Sequence, residues 1–143
     1  LARLVRKMQD LPGQNLFQYL DDSDEQRSVT STDVNAYLRE TMGADFTAKN
    51  FRTWHASVLA FETLAGGEGR LPLKELLARV AEHLGNTPAV TRRSYIHPAV
   101  IALVDDQQGG REGLQMPRAT RYLSRAERAL LDHLRAAPSA HKL

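Results

Sequence analysis

The stretch Leu84-Gly85-Asn86-Thr87-Pro88-Ala89-Val90-Thr91-Arg92-Arg93-Ser94-Tyr95-Ile96-His97-Pro98 decides how the rest of the chain reads. Gly85 offers the left-handed backbone on which helices end. Thr87-Pro88 restarts a helix at once, with threonine as N-cap and proline in the first turn, where its missing N–H costs nothing. Residues 84 to 88 are therefore predicted to turn a sharp corner between two helices, with Asn86 at its apex, where a polar side chain can point into a cleft. The second helix is short and basic, carrying Arg92 and Arg93. It delivers Tyr95 nine residues after Asn86, and Pro98 then breaks the chain again.

Upstream of the corner, Pro72 sits near the first turn of a helix through Leu73, Leu76, Leu77, Val80 and Leu84. Before it, a helix from Ala48 to Leu64, capped by Thr47 and stopped by Gly66-Gly67, sets Phe51, Trp54, Ala56, Val58, Leu59 and Phe61 on a broad apolar face. Phe51, Trp54 and Phe61 are expected in the core. Ser31 or Thr32 is predicted to cap a helix with Val34, Tyr37 and Leu38 on one face, ended by Gly43. Leu16 to Leu20 reads as a short strand or buried extended segment, and the acidic run Asp21 to Glu25 as a loop. An amphipathic helix opens the chain and stops at Leu11-Pro12-Gly13. Downstream, Gly109-Gly110 marks a loop, and Ser124-Arg125-Ala126-Glu127 is a capping box opening a last helix to Ala136. The expected fold is mainly α, with five or six helices and one short strand pair.

With 143 residues, 42% of them apolar, the chain is one domain's worth of material. No run of about 18 apolar residues appears, so it reads as cytoplasmic, with no membrane partner. Zero cysteines exclude disulfides and thiolate metal sites, and His55, His83, His97, His133 and His141 never take the His-Glu-x-x-His form. Neither metal nor cofactor is expected. Net charge is only +2, yet base gathers at Arg3, Arg6 and Lys7, at Arg92 and Arg93, and at Arg111, Arg118, Arg121, Arg125 and Arg128. Solvated helix faces explain such clusters as readily as a nucleic-acid surface does.

Taken with Asn50-Phe51-Arg52-Thr53-Trp54, the corner and its tyrosine resemble the catalytic region of type IB DNA topoisomerases, the bacterial ones in particular. Arg52 matches the family's arginine in a Phe/Leu-Arg-Thr setting. Asn86 and Tyr95 match its histidine or asparagine nine residues before the nucleophilic tyrosine. Leu11-Pro12-Gly13-Gln14 and the Ala48-Lys49-Asn50 lead-in are also similar to the family, so the resemblance runs from residue 1 to about 135. It implies double-stranded DNA as partner, a monomer, and a tyrosine fold of the recombinase and topoisomerase kind.

The resemblance further implies the chemistry. A guanidinium with paired donors suits the charge that builds on a phosphodiester in the transition state, which is the role of Arg52. Asn86 adds an amide donor to a nonbridging oxygen, a kind of contact worth about 3 kcal/mol. Tyr95 attacks in line to form a 3′-phosphotyrosine that conserves the backbone bond energy, so the strand reseals without ATP. Phenols titrate near a pKa of about 10, so cationic neighbours favour the attacking phenolate, with Arg52, Arg92 and Arg93 the candidates. Lys49, Arg92 and Arg93 are candidates for holding DNA phosphates. His55 is a weaker candidate for DNA contact, and His83 and His97 read as structural or exposed.

The family also uses a second arginine and a lysine general acid in a β-hairpin upstream of Arg52. Lys7 and Lys49 are the only lysines before Arg52, and neither is assigned that role. Residues 1–136 are therefore expected to be the C-terminal part of a catalytic domain whose N-terminal part is absent, with 137–143 a flexible tail and activity impaired. Two other readings stay open. Tyrosine recombinases share the order of groups but place a histidine where Lys49 stands and another at the position of Asn86. In a noncatalytic helical DNA-binding module, basic helices grip phosphates and Tyr95 is packing.

Overall fold

A computed structural model describes residues 2–9, 15–67, 69–106, 114 and 116–137. The Leu11-Pro12-Gly13 stop, the Gly109-Gly110 loop and the tail from Pro138 lie outside them. The described elements run α1 (Ala2–Gln9), β1 (Gln18–Leu20), β2 (Gln26–Ser28), α2 (Ser31–Met42), α3 (Ala48–Gly66), α4 (Leu73–Leu84), α5 (Pro88–Ser94), α6 (Pro98–Asp105) and α7 (Arg125–Ala136). The fold is mainly α with one two-stranded sheet. The chain groups into two compact units, Leu1–Ala48 and Lys49–Leu143.

In the first unit, β1 and β2 pair antiparallel, with Tyr19 opposite Arg27. The acidic run between them builds the turn: Asp21 Oδ1 accepts the N–H groups of Ser23 and Glu25, both at 3.0 Å, and Asp21 Oδ2 takes Arg27 Nε at 2.9 Å. These donors, Arg27 foremost, hold the Asp21 carboxyl below its usual range. The strand expected at residues 16–20 is present but not buried. Leu16, Phe17, Tyr19 and Leu20 are all exposed, and Gln18, hydrogen-bonded to Gln26, is the buried residue of β1.

The N-cap of α2 is Thr30, not Ser31 or Thr32. Thr30 Oγ1 accepts Asp33 N–H, and the Asp33 carboxylate accepts Thr30 N–H at 2.8 Å, so Thr30 and Asp33 close a capping box that neither later residue can form. Gly43 ends the helix at φ 66°. The N–H of Ala48, opening α3, donates to Asn35 Oδ1 at 3.0 Å.

The second unit holds the apolar core. Ala56, Ala60, Phe61 and Leu64 of α3 pack with Leu76, Leu77 and Val80 of α4, Ile96, Val100, Leu103 and Val104 in and before α6, and Ala129 and Leu130 of α7. The buried stripe of α3, at 56, 57, 60, 61 and 64, has the three-and-four spacing of one helix face. Phe61 is fully buried and Trp54 lies against the cluster, but Phe51 is 47% exposed. Phe51 falls about 150° around the helix from the centre of that stripe, so it is not core.

The caps at Thr87 and Ser124 fall where the sequence places them, while His97, not read as a cap, supplies a third. Thr87 caps α5, His97 Nδ1 caps α6 by accepting Ala99 N–H at 3.1 Å, and Ser124 with Glu127 caps α7. Arg125 and Arg128, read as surface charge, instead donate to the carbonyls of Met116, Pro117 and Arg118 and tie that segment to α7.

Candidate strand-transfer site

The predicted corner is a helix end closed by backbone bonds. Gly85, at φ 66°, donates its N–H to the carbonyls of Ala81 and Glu82, and the N–H of Asn86 reaches back to Ala81 O at 2.9 Å. This six-to-one bond is a Schellman closure, and it needs the left-handed residue before it. Asn86 thus contributes its backbone to the helix end while its side chain is left for other work. Its Nδ2 is buried without an acceptor among the described residues.

Tyr95 is placed by its backbone. It is the C-cap of α5, and its N–H donates to Thr91 O at 3.0 Å, an acceptor shared with Ile96 N–H at 3.2 Å. From α3, Ser57 Oγ donates to Tyr95 O at 3.4 Å and accepts His97 N–H at 3.0 Å. Residues 95 to 97 are therefore fastened to the helix that carries Arg52. Ile96 and His97 are buried on either side of that tether, and the phenol ring is only half-buried.

Arg52 joins the two. Its guanidinium carbon lies 5.1 Å from the centre of the Tyr95 ring, within the range for a cation over an aromatic face. Its Nη2 donates to Leu84 O at 3.0 Å, two residues before Asn86. Arg52 is exposed, so no burial cost has to be offset. The structure brings Arg52 to Tyr95 directly and to Asn86 by way of Leu84. Lys49 is exposed in the first turn of α3, and Arg92 and Arg93 are exposed in the last turn of α5. The two arginines border a cavity of about 360 Å³ that Thr53, Ser94 and His97 also line.

Around the site, Trp54 Nε1 donates to Glu127 Oε1 at 3.1 Å while Glu127 Oε2 accepts Ser124 N–H at 2.7 Å. Those bonds, that of Ser124 first, hold the Glu127 carboxyl below its usual range. Burial, with a smaller contribution from His133, pushes the His97 imidazole down and keeps it the neutral acceptor that its capping role requires. Ser57 had no signal in the sequence, because its partners lie 38 and 40 residues away.

The mainly α architecture with one short strand pair, and Arg52 laid on Tyr95 beside a helix corner, are consistent with a piece of a type IB topoisomerase catalytic domain. A family model described as eukaryotic DNA topoisomerase I, catalytic core, matches residues 1–141, and the chain belongs to that type IB family. It is similar to a protein named DNA topoisomerase 1B from Acanthamoeba polyphaga mimivirus, 30% identical over 106 residues, covering 64% of this chain and 32% of the relative. The match thus spans about a third of that relative's length. Neither name is bacterial, so membership holds at the level of the family.

Proposed function

We propose that this chain is part of the catalytic domain of a type IB DNA topoisomerase, and that Arg52, Asn86 and Tyr95 act on one phosphodiester of duplex DNA. The observation that carries the reading is the position of Arg52, which lies against the Tyr95 ring and is hydrogen-bonded at the corner that presents Asn86. A phosphate beside that guanidinium meets planar N–H donors, a phenol and an amide whose nitrogen has no acceptor among the described residues.

In the reaction, Tyr95 Oη attacks phosphorus, the bond to the 5′ oxygen breaks, and that oxygen leaves with a proton as a 5′ hydroxyl. The strand is held as a 3′-phosphotyrosine. Attack by the same hydroxyl reverses each step, and torsion in the duplex is released between the two. Arg92, Arg93 and Lys49 would hold backbone phosphates without regard to sequence, a contribution that weakens with salt. Such an enzyme works wherever the cell keeps its DNA.

The test uses duplex DNA with sulfur in place of the scissile 5′ oxygen. A thiolate departs without being protonated, so the assay does not depend on a general acid. The wild-type chain should form a covalent adduct that mass spectrometry maps to Tyr95, and Tyr95→Phe should form none. An adduct on another residue, or one that persists in Tyr95→Phe, would remove the assignment.

A further inference from the structure

Two histidines that the strand-transfer site leaves out, His55 on α3 and His83 on α4, face one another with their Nε2 atoms 3.1 Å apart. Their ring centroids are 5.1 Å apart and the planes are tilted by 34°, so the rings converge on their Nε2 edges. Both residues are exposed. At this distance one ring donates its Nε2–H to the other's lone pair, and a metal ion can take the place of that shared proton.

Imidazole binds zinc-like ions at about 2.0–2.1 Å, which sets two ligand nitrogens about 2.9 Å apart at a right angle and about 3.4 Å apart at the tetrahedral angle. The observed 3.1 Å falls between these limits. We propose that His55 and His83 form a chelating site for a divalent ion of the zinc, nickel and copper class. Imidazole suits these ions and copper binds most tightly in the usual order. Among the described residues no group of three or more histidine, cysteine or acidic side chains is placed to hold a metal, so water fills the remaining positions. On binding, the ring that held its proton on Nε2 carries it on Nδ1 instead, and both Nε2 lone pairs turn to the ion.

The position gives the site a consequence. His55 lies one turn along α3 from Arg52, and His83 immediately precedes Leu84, whose carbonyl holds Arg52. A bound ion cross-links α3 to the end of α4 beside that contact. The ion clamps two helices and takes no part in phosphoryl transfer, so the inference stands whether or not the chain cleaves DNA.

Calorimetric titration of the chain with copper, nickel and zinc chlorides should show one equivalent of binding, tightest for copper. The copper complex should show coupling to two imidazole nitrogens by electron paramagnetic resonance. His55→Gln and His83→Gln should each weaken binding on the order of 100-fold, because either change turns a chelate into a single ligand. His141→Gln should leave it unchanged. Independently of any variant, copper should broaden the imidazole NMR signals of His55 and His83 in the wild-type chain before those of the other histidines. Absence of one-equivalent binding, undiminished affinity in either glutamine variant, or broadening centred on another histidine would overturn the proposal.

Discussion

Replacing Ser57 by alanine tests the tether between α3 and the tyrosine segment. Ser57 is 2% exposed, and its hydroxyl accepts His97 N–H at 3.0 Å and donates to Tyr95 O at 3.4 Å. Alanine fills nearly the same space, so little apolar contact changes. The loss is that of hydrogen bonds, and a buried N–H left without an acceptor costs about 1–3 kcal/mol. The bond to Tyr95 O is at the long end of the hydrogen-bond range and adds a few tenths at most. A total of about 2 kcal/mol, divided by an m value of about 2 kcal/mol/M, lowers the urea midpoint by about 1 M. The effect should also be local: amide exchange at His97 should quicken more than at core residues of α4 such as Val80. A variant with its midpoint within about 0.2 M of wild type and unchanged exchange at His97 would refute the tether.

Glu127→Ala removes both the α7 capping box and the acceptor for Trp54. It should cost about 1–2 kcal/mol in thermal or urea unfolding, and the fluorescence of Trp54, the sole tryptophan, should shift; an unchanged midpoint and spectrum would refute both roles. Acidification should destabilise the fold in two overlapping steps. His97 is held below its ordinary 6.5 by burial and by His133, so the unfolded chain takes up its proton first: the stabilisation from a neutral His97 is complete above that value and is lost as pH falls through the lower folded pKa. Glu127, held below 4.5 by Ser124 and Trp54, has the same sign at lower pH; an unfolding free energy flat from about pH 7 to pH 5 would contradict the His97 step, and one flat from about pH 5 to pH 3 the Glu127 step.

Local signals in the sequence carried far. Gly85, Thr87-Pro88, Pro98 and the Ser124 to Glu127 box all mark helix ends, because a cap is made by residues within four positions of one another. The box at Thr30 to Asp33 was shifted by one or two positions because aspartate, one carbon shorter than the usual glutamate, also closes it. Phe51 was misplaced for another reason. Phe51 lies nearly opposite the buried stripe of α3, and the broad apolar face read from the sequence merged the two sides of the helix. The acidic run at Asp21 was legible as a loop and illegible as the scaffold of a turn, since that role depends on Arg27 across the hairpin.

Pairs distant in sequence were the least accessible. Arg52 and Tyr95 were expected to meet only through family resemblance, and the contact at 5.1 Å puts that expectation on a physical footing. His55 and His83, 28 residues apart on different helices, and Ser57 with its two partners emerge only once the helices are packed.

If Arg52 binds phosphate as proposed, its hydrogen bond to Leu84 O bears on how readily an incoming strand is gripped. Carbonyls in the last turn of a helix lack partners within it and carry the negative end of the helix dipole. By lending one to Arg52, α4 serves as a bracket that immobilises a side chain otherwise carrying about 2 kcal/mol of rotamer entropy. That disorder is surrendered when the protein folds, so less remains to be lost when a phosphate arrives. Lysine at position 52 would lack the rigid fork needed to rest on the bracket and face a phosphate in one plane.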